Sequence, residues 1–454
     1  MDLAAPEAFE IVIDRIRAAL AENRQADAVN IFKELHPADQ AGIFNLLDEN
    51  EQGVLLPLLD IPTTADLLEE LEDDDVLEAV GGLPNEKLAD LLDEMEPDEA
   101  ADLLGDLPSE QASQLLAEME DADEVLPLLG YPDNSAGGLM TTWFIALRQQ
   151  TTVEQAINFL RQVSPDTEVP YYLYVVDRAK RLTGVVGLRD LVISSPKQIM
   201  ENIADLEVIS VSTNSDQEEV ARVMARYDLS EVPVIDDQHL LVGVITHDDI
   251  LDVVTEEATE DIYRLANVSD AGLEPESPVM EHLKGRLPWV YLNMLTALFA
   301  SWVITNFEAV IAQVAVLAAF QSVVAGLGGN SASQNVAMIV RAMALGKTEP
   351  KRVWRVMARQ VLVGVLQGVA VGVVVGLGVA IWQHNPYLGL ILGMAMVGNM
   401  VVAGAIGTLV PLSLKAFGQD PAIASSVLVT AVTDSCGFFI FLSLATWLLS
   451  YLQK

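Results

Sequence analysis

The sequence is short of cysteine and of basic residues. Cys436 is its only cysteine, which excludes a disulfide framework and a thiolate metal cluster and indicates a reducing compartment for the acidic half of the chain. Only 25 Lys and Arg stand against 66 Asp and Glu, which gives a net charge of −41 over 454 residues. Nucleic-acid binding relies on Lys and Arg at phosphates. The composition therefore argues against a nucleic-acid partner and favours cations.

Long apolar runs are absent from the first 280 residues. The first 30 residues contain no apolar signal core, so the N-terminus is expected in the cytosol. There is no GxxxxGK[ST] loop, which argues against an ATP-driven pump. Residues 1–130, 131–280 and 281–454 carry net charges of −30, −16 and +5. A chain of this length typically forms about three domains, and these charge steps indicate where they divide.

Apolar residues are concentrated after residue 286. Five runs can each cross a bilayer, which needs about 20 residues; they are 287–307, 310–345, 361–382, 388–417 and 423–451. The second and fourth runs are longer than needed and contain Gly or Pro with amides, so a tilted or broken helix is predicted in each.

Basic residues flank these runs unevenly. Those predicted on one side are Lys284, Arg286, Arg341, Lys347, Lys351, Arg352, Arg355, Arg359 and Lys415. Lys454 alone is predicted on the other side. The positive-inside rule then predicts a cytosolic acidic region, five spans and an external C-terminus.

Asp434, in the segment VTAVTDSCGFFIF, lies near the middle of the fifth run. A charge at this depth is costly, and no basic residue lies in the core of a span to pair with it. Thr430 lies one helical turn before it and Thr433 is adjacent. We interpret Asp434 as a carboxylate that attracts cations along an ion pathway. The alternative is a protonated Asp that is hydrogen-bonded to a neighbouring helix.

A second polar interruption is the segment GLGGNSASQN, residues 326–335. A helix break here would place backbone carbonyls and amide oxygens at membrane depth, which is tolerated where they line a watery cavity. Close helix packing through small residues is the alternative, and the two interpretations are compatible. Asn399, in the fourth run, is interpreted as the donor or acceptor of an interhelical hydrogen bond.

Residues 139–254 contain an internal repeat of about 60 residues. The segment LTGVV at Leu182 returns as LVGVI at Leu241, and Arg189-Asp190 returns as Asp248-Asp249. Each copy has a helical stretch, then β-branched strands, then a helix that begins with acids. The predicted helical stretches are 153–162 and 217–227, and the predicted strands are 173–177, 184–187, 232–235 and 242–246. The pattern resembles a tandem CBS pair, a small α/β regulatory module.

CBS pairs often hold adenosine nucleotides through a Ser or Thr and an acid three residues later. Thr246 and Asp249 in the second copy fit this pattern, whereas Gly187 replaces the hydroxyl residue in the first copy. The resemblance makes ATP a candidate ligand, with Tyr172, Arg189 and Thr246 as candidate contacts.

Short helices are predicted over residues 26–130, with boundaries near Pro37, Pro62, Pro84, Pro97 and Pro108. The segments LPNEKLADLLDEM and LPSEQASQLLAEM begin 24 residues apart, and their leucines recur at helical spacing. Each helix therefore has one apolar face. Stacked helical hairpins that bury these faces would form an all-α superhelix.

Two acidic clusters stand out. The first covers the other face of these helices and comprises Asp90, Asp93, Glu94, Asp98, Glu99, Asp102 and Asp106. The second lies in HDDILDVVTEEATED and comprises Asp248, Asp249, Asp252, Glu256, Glu257, Glu260 and Asp261. Such charge runs are usually solvated faces. Divalent cations prefer carboxylate oxygens, however, and acids of separate domains repel until ions bridge them, so the clusters favour a sensor of divalent cations.

Over nearly its whole length, the chain resembles the MgtE family of magnesium channels. The motifs that carry the resemblance are RLPWVYLNMLTA, GGNSASQNVAMIVRAMALG and DPAIASSVLVTAVTDSCGFFIFL. The resemblance implies a multidomain membrane protein. Its parts would be an acidic all-α superhelical N-domain at 1–130, an α/β tandem CBS pair at 131–255, a connecting helix segment at 256–286 and a five-helix α transmembrane domain at 287–454.

The resemblance also implies a mechanism. The protein would be a homodimer in the plasma (inner) membrane, with a pore on the two-fold axis lined by the second and fifth spans and with Asp434 attracting hydrated Mg²⁺. Beside Asp434 would lie Gly328, Gly329, Asn330 and Gln334. Cytosolic Mg²⁺ would bind between the N-domain, the CBS pair and the connecting segment, and would hold the pore shut. The matching acids would be Asp93, Asp98, Asp216, Glu218 and Asp228, with the seven acids of the second cluster.

The expected function is therefore Mg²⁺ entry into the cytosol with feedback closure, and no enzymatic activity. One alternative is a CBS-regulated exchanger of a divalent cation or sodium, which would need alternating access. Another is a magnesium-sensing membrane scaffold that transports nothing, against which the unpaired Asp434 argues. Single-channel currents distinguish a channel from an exchanger.

Overall fold

This computed structural model describes residues 6–163, 172–269, 272–273, 275, 277–345, 353–423 and 425–452. The chain divides into two compact units, Met1–Val253 and Val254–Lys454. Some predictions fall outside the described residues, namely those on Lys347, Lys351, Arg352 and Lys454 and on residues 270, 271, 274 and 276 of the connecting segment.

The described part of the first unit begins with ten short helices. They are α1 (Pro6–Ala21), α2 (Gln25–Lys33), α3 (Pro37–Phe44), α4 (Glu49–Leu55), α5 (Ile61–Glu69), α6 (Asp73–Val80), α7 (Asn85–Glu94), α8 (Pro97–Asp106), α9 (Ser109–Glu118) and α10 (Ala122–Val125), with a 3-10 turn at Leu56–Leu58. The five predicted proline boundaries are confirmed, because each proline lies in the first turn of a helix or directly before it. Proline is tolerated there because the first N–H groups have no intrahelical acceptor.

The predicted apolar faces of these helices are buried. Leu88, Leu91 and Leu92 of α7 are at most 1% exposed, and Leu115 of α9 is fully buried. The same hydrophobic core continues into the second half of the unit, where it includes Val232. The helices and the strands that follow them therefore share one core.

Two three-stranded sheets follow in the first unit. The first contains β1 (Ala146–Arg148), β2 (Tyr172–Val176) and β3 (Leu182–Gly187), and the second contains β4 (Val211–Ser212), β5 (Glu231–Ile235) and β6 (Leu241–Thr246). In each sheet the first strand pairs parallel with the second, which pairs antiparallel with the third. The register shifts at matching places, between Val175 and Val176 and between Val234 and Ile235. The predicted repeat and its strands are confirmed.

The helices of this repeat are α11 (Val153–Val163), α12 (Leu188–Ile193), α13 (Met200–Ile203), α14 (Gln217–Tyr227) and α15 (His247–Leu265). Helices α11 and α14 confirm the two predicted helical stretches. Helix α15 has 19 residues and carries every acid of the second cluster.

The second unit is helical over its described residues. Its helices are α16 (Val279–Thr305), α17 (Glu308–Gln313), α18 (Val316–Ala344), α19 (Val353–Trp382), α20 (Pro386–Ala416), α21 (Ser425–Trp447) and α22 (Leu449–Leu452). Among the described residues, four helices are long and apolar enough to cross a membrane: α16, α19, α20 and α21. The second predicted run corresponds to α17 and α18. Helix α18 has 29 residues but is less apolar, because it contains several amide side chains.

The predicted break in the glycine-rich segment is wrong. Helix α18 is continuous through residues 326–335, and α20 is continuous through Pro411. The second run is interrupted only at residues 314–315, between α17 and α18. An intact helix satisfies its own backbone groups, which matters where no water is available to do so.

The predicted connecting segment over residues 256–286 contains parts of two helices. Residues 256–265 form the second half of α15, and residues 279–286 form the first turns of α16. The described residues between them are not helical. Pro278 is the extended N-cap residue of α16, so a helix begins there instead of continuing.

Four glycines of α19 recur at intervals of four residues: Gly364, Gly368, Gly372 and Gly376. A Cβ atom at Gly372 would lie 2.7 Å from the carbonyl oxygen of Gly393 in α20, and one at Gly376 would lie 2.7 Å from that of Gly389. The backbones of α19 and α20 therefore touch directly, as small residues permit.

Candidate functional site

Helix α21 holds Asp434 among apolar residues. The Asp434 side chain is half-buried, and the adjacent Thr433 is fully buried. The Thr433 hydroxyl donates to the carbonyl oxygen of Thr430 in the same helix at 3.1 Å. No described residue pairs with Asp434 through a hydrogen bond or a salt bridge. No described side chain therefore competes with a cation for its carboxylate oxygens.

Helix α18 approaches α21 near Thr430. A Cβ atom at Gly329 would lie 3.9 Å from Cγ2 of Thr430, and Gly328 is buried. Asn330 and Gln334 are exposed, and their spacing of four residues places them on one face of α18. Helix α18 thus combines a glycine contact with α21 and an exposed polar face.

Two asparagines tie α18 to α20. Asn399 Nδ2 donates to the carbonyl oxygen of Val324 at 2.9 Å, which confirms the predicted interhelical hydrogen bond. Asn335 Nδ2 donates to the carbonyl oxygen of Gly404 at 2.9 Å and to the hydroxyl of Thr408 at 3.0 Å. The sequence analysis does not single out Asn335, although an amide in an apolar helix is the signal that identifies such a contact.

Two acids of different clusters meet inside the first unit. Asp98, in the first turn of α8, is 6% exposed, and its Oδ1 accepts no hydrogen bond from a described residue. Burial, and then the nearby charge of Asp249, raise the pKa of Asp98 well above its usual value. Burial likewise raises the pKa of Asp249, although this carboxylate accepts a hydrogen bond from the Thr246 hydroxyl at 2.6 Å. The predicted acidic face therefore includes one buried acid, Asp98, beside a half-buried one, Asp249.

Three other predicted regulatory acids lie at the ends of helices or bind backbone groups there. The carboxylate of Asp93 accepts hydrogen bonds from the N–H groups of Glu120 and Asp121 at 2.9 to 3.1 Å. Asp216 is the N-cap of α14 and accepts from the N–H of Glu218 at 3.0 Å. Asp228, at φ 51°, is the C-cap of the same helix. Asp216 and Asp228 thus lie about 18 Å apart along α14 and do not share one ion within a chain.

The remaining acids of the second cluster follow one another along α15. Burial, and then the charge of Asp248, raise the pKa of Asp252. Burial, and then Asp420 and Glu257, raise the pKa of Asp261 to about 6. Arg264, four residues after Glu260, forms salt bridges with both Glu260 and Asp420.

Sequence reasoning missed Arg264 and its partner Asp420. The spacing of Glu260 and Arg264 on one helix could have indicated half of this network, whereas the contact with Asp420 depends on tertiary structure.

The acids are present as pairs and not as a preformed cage. Among the described residues, no three His, Cys, Asp or Glu side chains are grouped as metal ligands. Mg²⁺ keeps several waters and takes only one or two carboxylates directly. The pair of Asp98 and Asp249 fits such a hydrated ion in its donor chemistry.

The candidate nucleotide contacts lie on both sheets. Tyr172 is the first residue of β2 and is paired with Gly187, the last residue of β3. Arg189 is exposed in the first turn of α12, and Thr246 is the last residue of β6. A cavity of about 170 Å³ lies at the other end of the strands. Its lining residues are Leu182, Thr183, Leu206, Val208, Ser210, Ile235 and His239.

Three family models match the chain. The match to the divalent cation transporter model covers residues 321–444, that to the MgtE intracellular N domain covers 35–134, and those to the CBS domain cover 136–196 and 199–256. Together with the four apolar helices, these matches define a membrane transporter of divalent cations with an intracellular helical domain and a CBS pair.

Whole-chain relatives specify the family. The magnesium transporter MgtE of Thermus thermophilus is 35% identical over 441 residues, which are 96% of this chain and 98% of the relative. The magnesium transporter MgtE of Bacillus subtilis is 32% identical over 441 residues, which are 96% and 97% of the two chains. The chain belongs to the MgtE family, whose curated members here are named transporters and not enzymes.

Solved structures match the N-terminal half. The cytosolic domain of the Mg²⁺ channel MgtE in complex with ATP has a TM-score of 0.51 and 36% identity, and the match covers 53% of this chain and 99% of that chain. The soluble part of a magnesium transporter has a TM-score of 0.50 and 33% identity, with coverages of 55% and 99%. The predicted order of a helical N-domain followed by a CBS pair is confirmed.

Proposed function

We propose that this chain is a magnesium-selective channel that admits Mg²⁺ into the cytosol down the membrane potential and is closed by Mg²⁺ bound to its acidic cytosolic residues. The observation that carries the proposal is Asp434, an acid in the apolar helix α21 that pairs with no described residue. A lone carboxylate at membrane depth is costly unless it serves an ion. The family relationship supplies the ion, since the relatives are named magnesium transporters.

The ion pathway is formed in a homodimer, in our proposal. One copy leaves Asn330 and Gln334 exposed on α18 and buries little of α16. Polar side chains on an otherwise apolar helix are expected to face protein or a watery cavity, not lipid. A second copy would enclose them with Asp434. The proposed pathway residues are Asp434, Thr430, Thr433, Gly328, Gly329, Asn330 and Gln334.

No fuel is required for this transport. A divalent ion that moves inward across about 100 mV gains roughly 4.6 kcal/mol, twice the value for a single charge. The orientation in the plasma (inner) membrane rests on the basic residues near the spans, which indicate a cytosolic N-terminus and an external C-terminus. Helix α18, with 29 residues, is long enough to be the fifth span.

Regulation depends on the repulsion between acids. Asp98 is buried and Asp249 is half-buried, and the charge of Asp249 contributes to the raised pKa of Asp98, so ionising both acids carries a cost. Mg²⁺ between them would remove that cost and hold this part of the first unit in one arrangement. The other proposed regulatory acids are Asp93, Asp216, Glu218, Asp228, Asp248, Asp252, Glu256, Glu257, Glu260 and Asp261.

ATP is proposed as a second cytosolic ligand, at the CBS pair. The support is the related cytosolic domain whose structure is a complex with ATP. Tyr172, Arg189 and Thr246 are its proposed contacts. The proposed domains are 1–130, 131–255, 256–286 and 287–454.

The test is patch-clamp recording on membranes that contain the full chain, with cytosolic Mg²⁺ stepped through the millimolar range. We expect unitary Mg²⁺ currents that close as cytosolic Mg²⁺ rises and that are lost in Asp434→Ala. The matched control is Cys436→Ala, a half-buried residue on the same helix without charge, which should conduct like the wild type.

Two outcomes would contradict the proposed channel. Mg²⁺ tracer flux without unitary current would indicate that the chain is an exchanger of a divalent cation or sodium and not a channel. The absence of both current and flux would overturn transport by this chain.

A further inference from the structure

Asn399 of α20 occupies a position between two other helices. It is 1% exposed, and its Nδ2 donates to the carbonyl oxygen of Val324 in α18 at 2.9 Å. Its Oδ1 is buried and accepts no hydrogen bond from any residue that the structure describes. One end of the amide is therefore anchored, while the other is polar, enclosed and without a described partner.

Glycines make room for this amide on both sides. A Cβ atom at Gly328 of α18 would lie 2.0 Å from Asn399 Nδ2. A Cβ atom at Gly437 of α21 would lie 2.7 Å from Nδ2 and 3.1 Å from Oδ1. Real Cβ atoms essentially never lie this close to a neighbour, so a larger residue at either glycine would displace the Asn399 amide. The amide thus fills the space between α18 and α21 that only glycine leaves open.

This space adjoins the proposed ion pathway. Gly437 follows Asp434 by three residues, which places the two on neighbouring positions of one face of α21, about 4.5 Å apart along the axis. Gly328 precedes Gly329, which is the residue of α18 that approaches Thr430. A side chain of α20 therefore touches both helices of the pathway within about one turn of Asp434.

We propose that Asn399 is a positioning residue for cation selectivity: its amide sets the separation of α18 and α21 beside Asp434. The proposal rests on the proposed function, because it assumes that cations pass Asp434. The bond to Val324 fixes the amide on α18, and its contact with Gly437 limits how closely α21 approaches. The separation of these helices determines which cations, with how much of their hydration shell, reach the carboxylate.

The chain offers a matched control in Asn335. This amide also joins α18 to α20, is 6% exposed, donates to a backbone carbonyl at 2.9 Å and has a buried Oδ1 without a described partner. Its hydrogen bonds go to Gly404 and Thr408 of α20, and it faces Gly407 of the same helix. A purely structural role would give the two asparagines similar phenotypes.

The experiment compares wild type, Asn399→Ala, Asn399→Ser and Asn335→Ala as full chains in liposomes. Initial uptake of Mg²⁺ and of Ca²⁺ is measured under one membrane potential, together with the thermal unfolding midpoint in detergent. We expect Asn399→Ala to change the Mg²⁺ to Ca²⁺ uptake ratio at least tenfold, and Asn399→Ser, which keeps a donor but is smaller, to change it by a lesser factor that still exceeds twofold. Asn335→Ala should lower the unfolding midpoint but change the ratio less than twofold.

Four outcomes would overturn the inference. An unchanged uptake ratio in Asn399→Ala, or equal changes in Asn399→Ala and Asn335→Ala, would show that Asn399 is only a packing contact. The proposed function would be unaffected, because the wild type would still transport Mg²⁺. No uptake by the wild type would overturn both the inference and the proposed function. If Asn399→Ala does not fold, Asn399→Ser decides, because a ratio like that of the wild type in this smaller side chain contradicts control by the amide.

Discussion

The hydroxyl of Tyr174 donates a hydrogen bond to Glu231 Oε1 at 2.6 Å. Tyr174 lies on β2 and Glu231 on β5, so the bond joins the two copies of the CBS repeat. Both side chains are buried. Burial, together with the charge of Glu231, raises the pKa of Tyr174, so the phenol remains a donor throughout the physiological range.

Tyr174→Phe should destabilise the protein, because it removes a donor from a buried carboxylate. The expected loss is about 1 to 3 kcal/mol, measured as a lower thermal unfolding midpoint of the full chain. Tyr227→Phe is the control, since Tyr227 is 48% exposed. Equal midpoints for Tyr174→Phe and Tyr227→Phe would contradict a stabilising role for the bond.

Asp98→Asn should stabilise the chain in the absence of Mg²⁺. An amide of the same shape carries no charge into the interior, and relief of the repulsion with Asp249 should contribute about 1 kcal/mol or more. The same variant should lose most of the stabilisation by Mg²⁺, which for a single site is about 2.7 kcal/mol at 100 times Kd. The measurement is the unfolding midpoint with and without Mg²⁺. Asp106→Asn, an exposed substitution on the same helix, should behave like the wild type.

Acid should weaken closure by Mg²⁺. The pKa of Asp261 is raised to about 6, and the pKa values of Asp98 and Asp249 are raised as well. Below these raised pKa values the acids are partly protonated, so Mg²⁺ binding must displace protons, whereas above them the acids are ionised and free to bind the ion. We expect the Mg²⁺ concentration for half-maximal closure to be higher at pH 6 than at pH 8. Asp261→Asn should reduce this difference, and an identical concentration at both pH values in the wild type would argue against these acids as the sensor.

Arg264→Gln should make stability in the second unit depend more strongly on Mg²⁺. Arg264 pairs with Glu260 and Asp420, and Asp261 lies near Asp420. Loss of the guanidinium charge leaves these acids to repel one another, which should cost about 2 kcal/mol without divalent ions. Arg222→Gln is the control, because its pair with Glu218 is long, at 4.0 Å, and its side chains are 40% and 35% exposed, and pairs open to solvent contribute little. If Mg²⁺ raised the unfolding midpoint by the same amount in both variants, the expected effect of Arg264 on the Mg²⁺ dependence of stability would be wrong.

Gly372→Ala should destabilise the contact between α19 and α20. Its Cβ would lie 2.7 Å from the carbonyl oxygen of Gly393, and backbone atoms cannot move aside cheaply. We expect a loss of about 2 kcal/mol. Gly378→Ala, on the same helix with nothing within 4 Å of its Cβ position, should be neutral or slightly stabilising because alanine favours helices. Thermal unfolding in detergent compares the two, and equal midpoints would argue against direct backbone contact.

Local patterns predicted the elements of this protein well. Each proline used to divide the N-terminal helices lies at a helix start, because the φ restriction of proline and its missing N–H act within one turn. The strands of the repeat were predicted from short runs of β-branched residues that recur about 60 residues apart, a pattern that is visible in the sequence itself. The glycine-rich segment of α18 misled because glycine indicates either a break or a close contact, and only the facing Asn399 decides between them.

The roles of individual acids could not be predicted from the sequence. Asp93 and Asp98 lie five residues apart in the same acidic stretch, yet Asp93 accepts hydrogen bonds from the distant backbone of Glu120 and Asp121, whereas Asp98 is buried near Asp249. Neither the residue type nor the local helical pattern distinguishes Asp93 from Asp98. Their difference arises from tertiary contacts between segments that are far apart in the chain.

The glycine contact of α19 and α20 determines which parts of the second unit can rearrange. Backbone atoms in direct contact cannot relax by changing rotamers. We therefore expect the two helices to keep a fixed position relative to each other, as one rigid frame. Helix α18 also contacts α20 through backbone, since a Cβ atom at Gly407 would lie 2.9 Å from the carbonyl oxygen of Ala332, whereas α21 meets α18 and α20 through side chains such as Thr430 and Asn399. Opening and closing of an ion pathway would therefore fall mainly on α21, with α20 serving as the fixed reference against which it shifts.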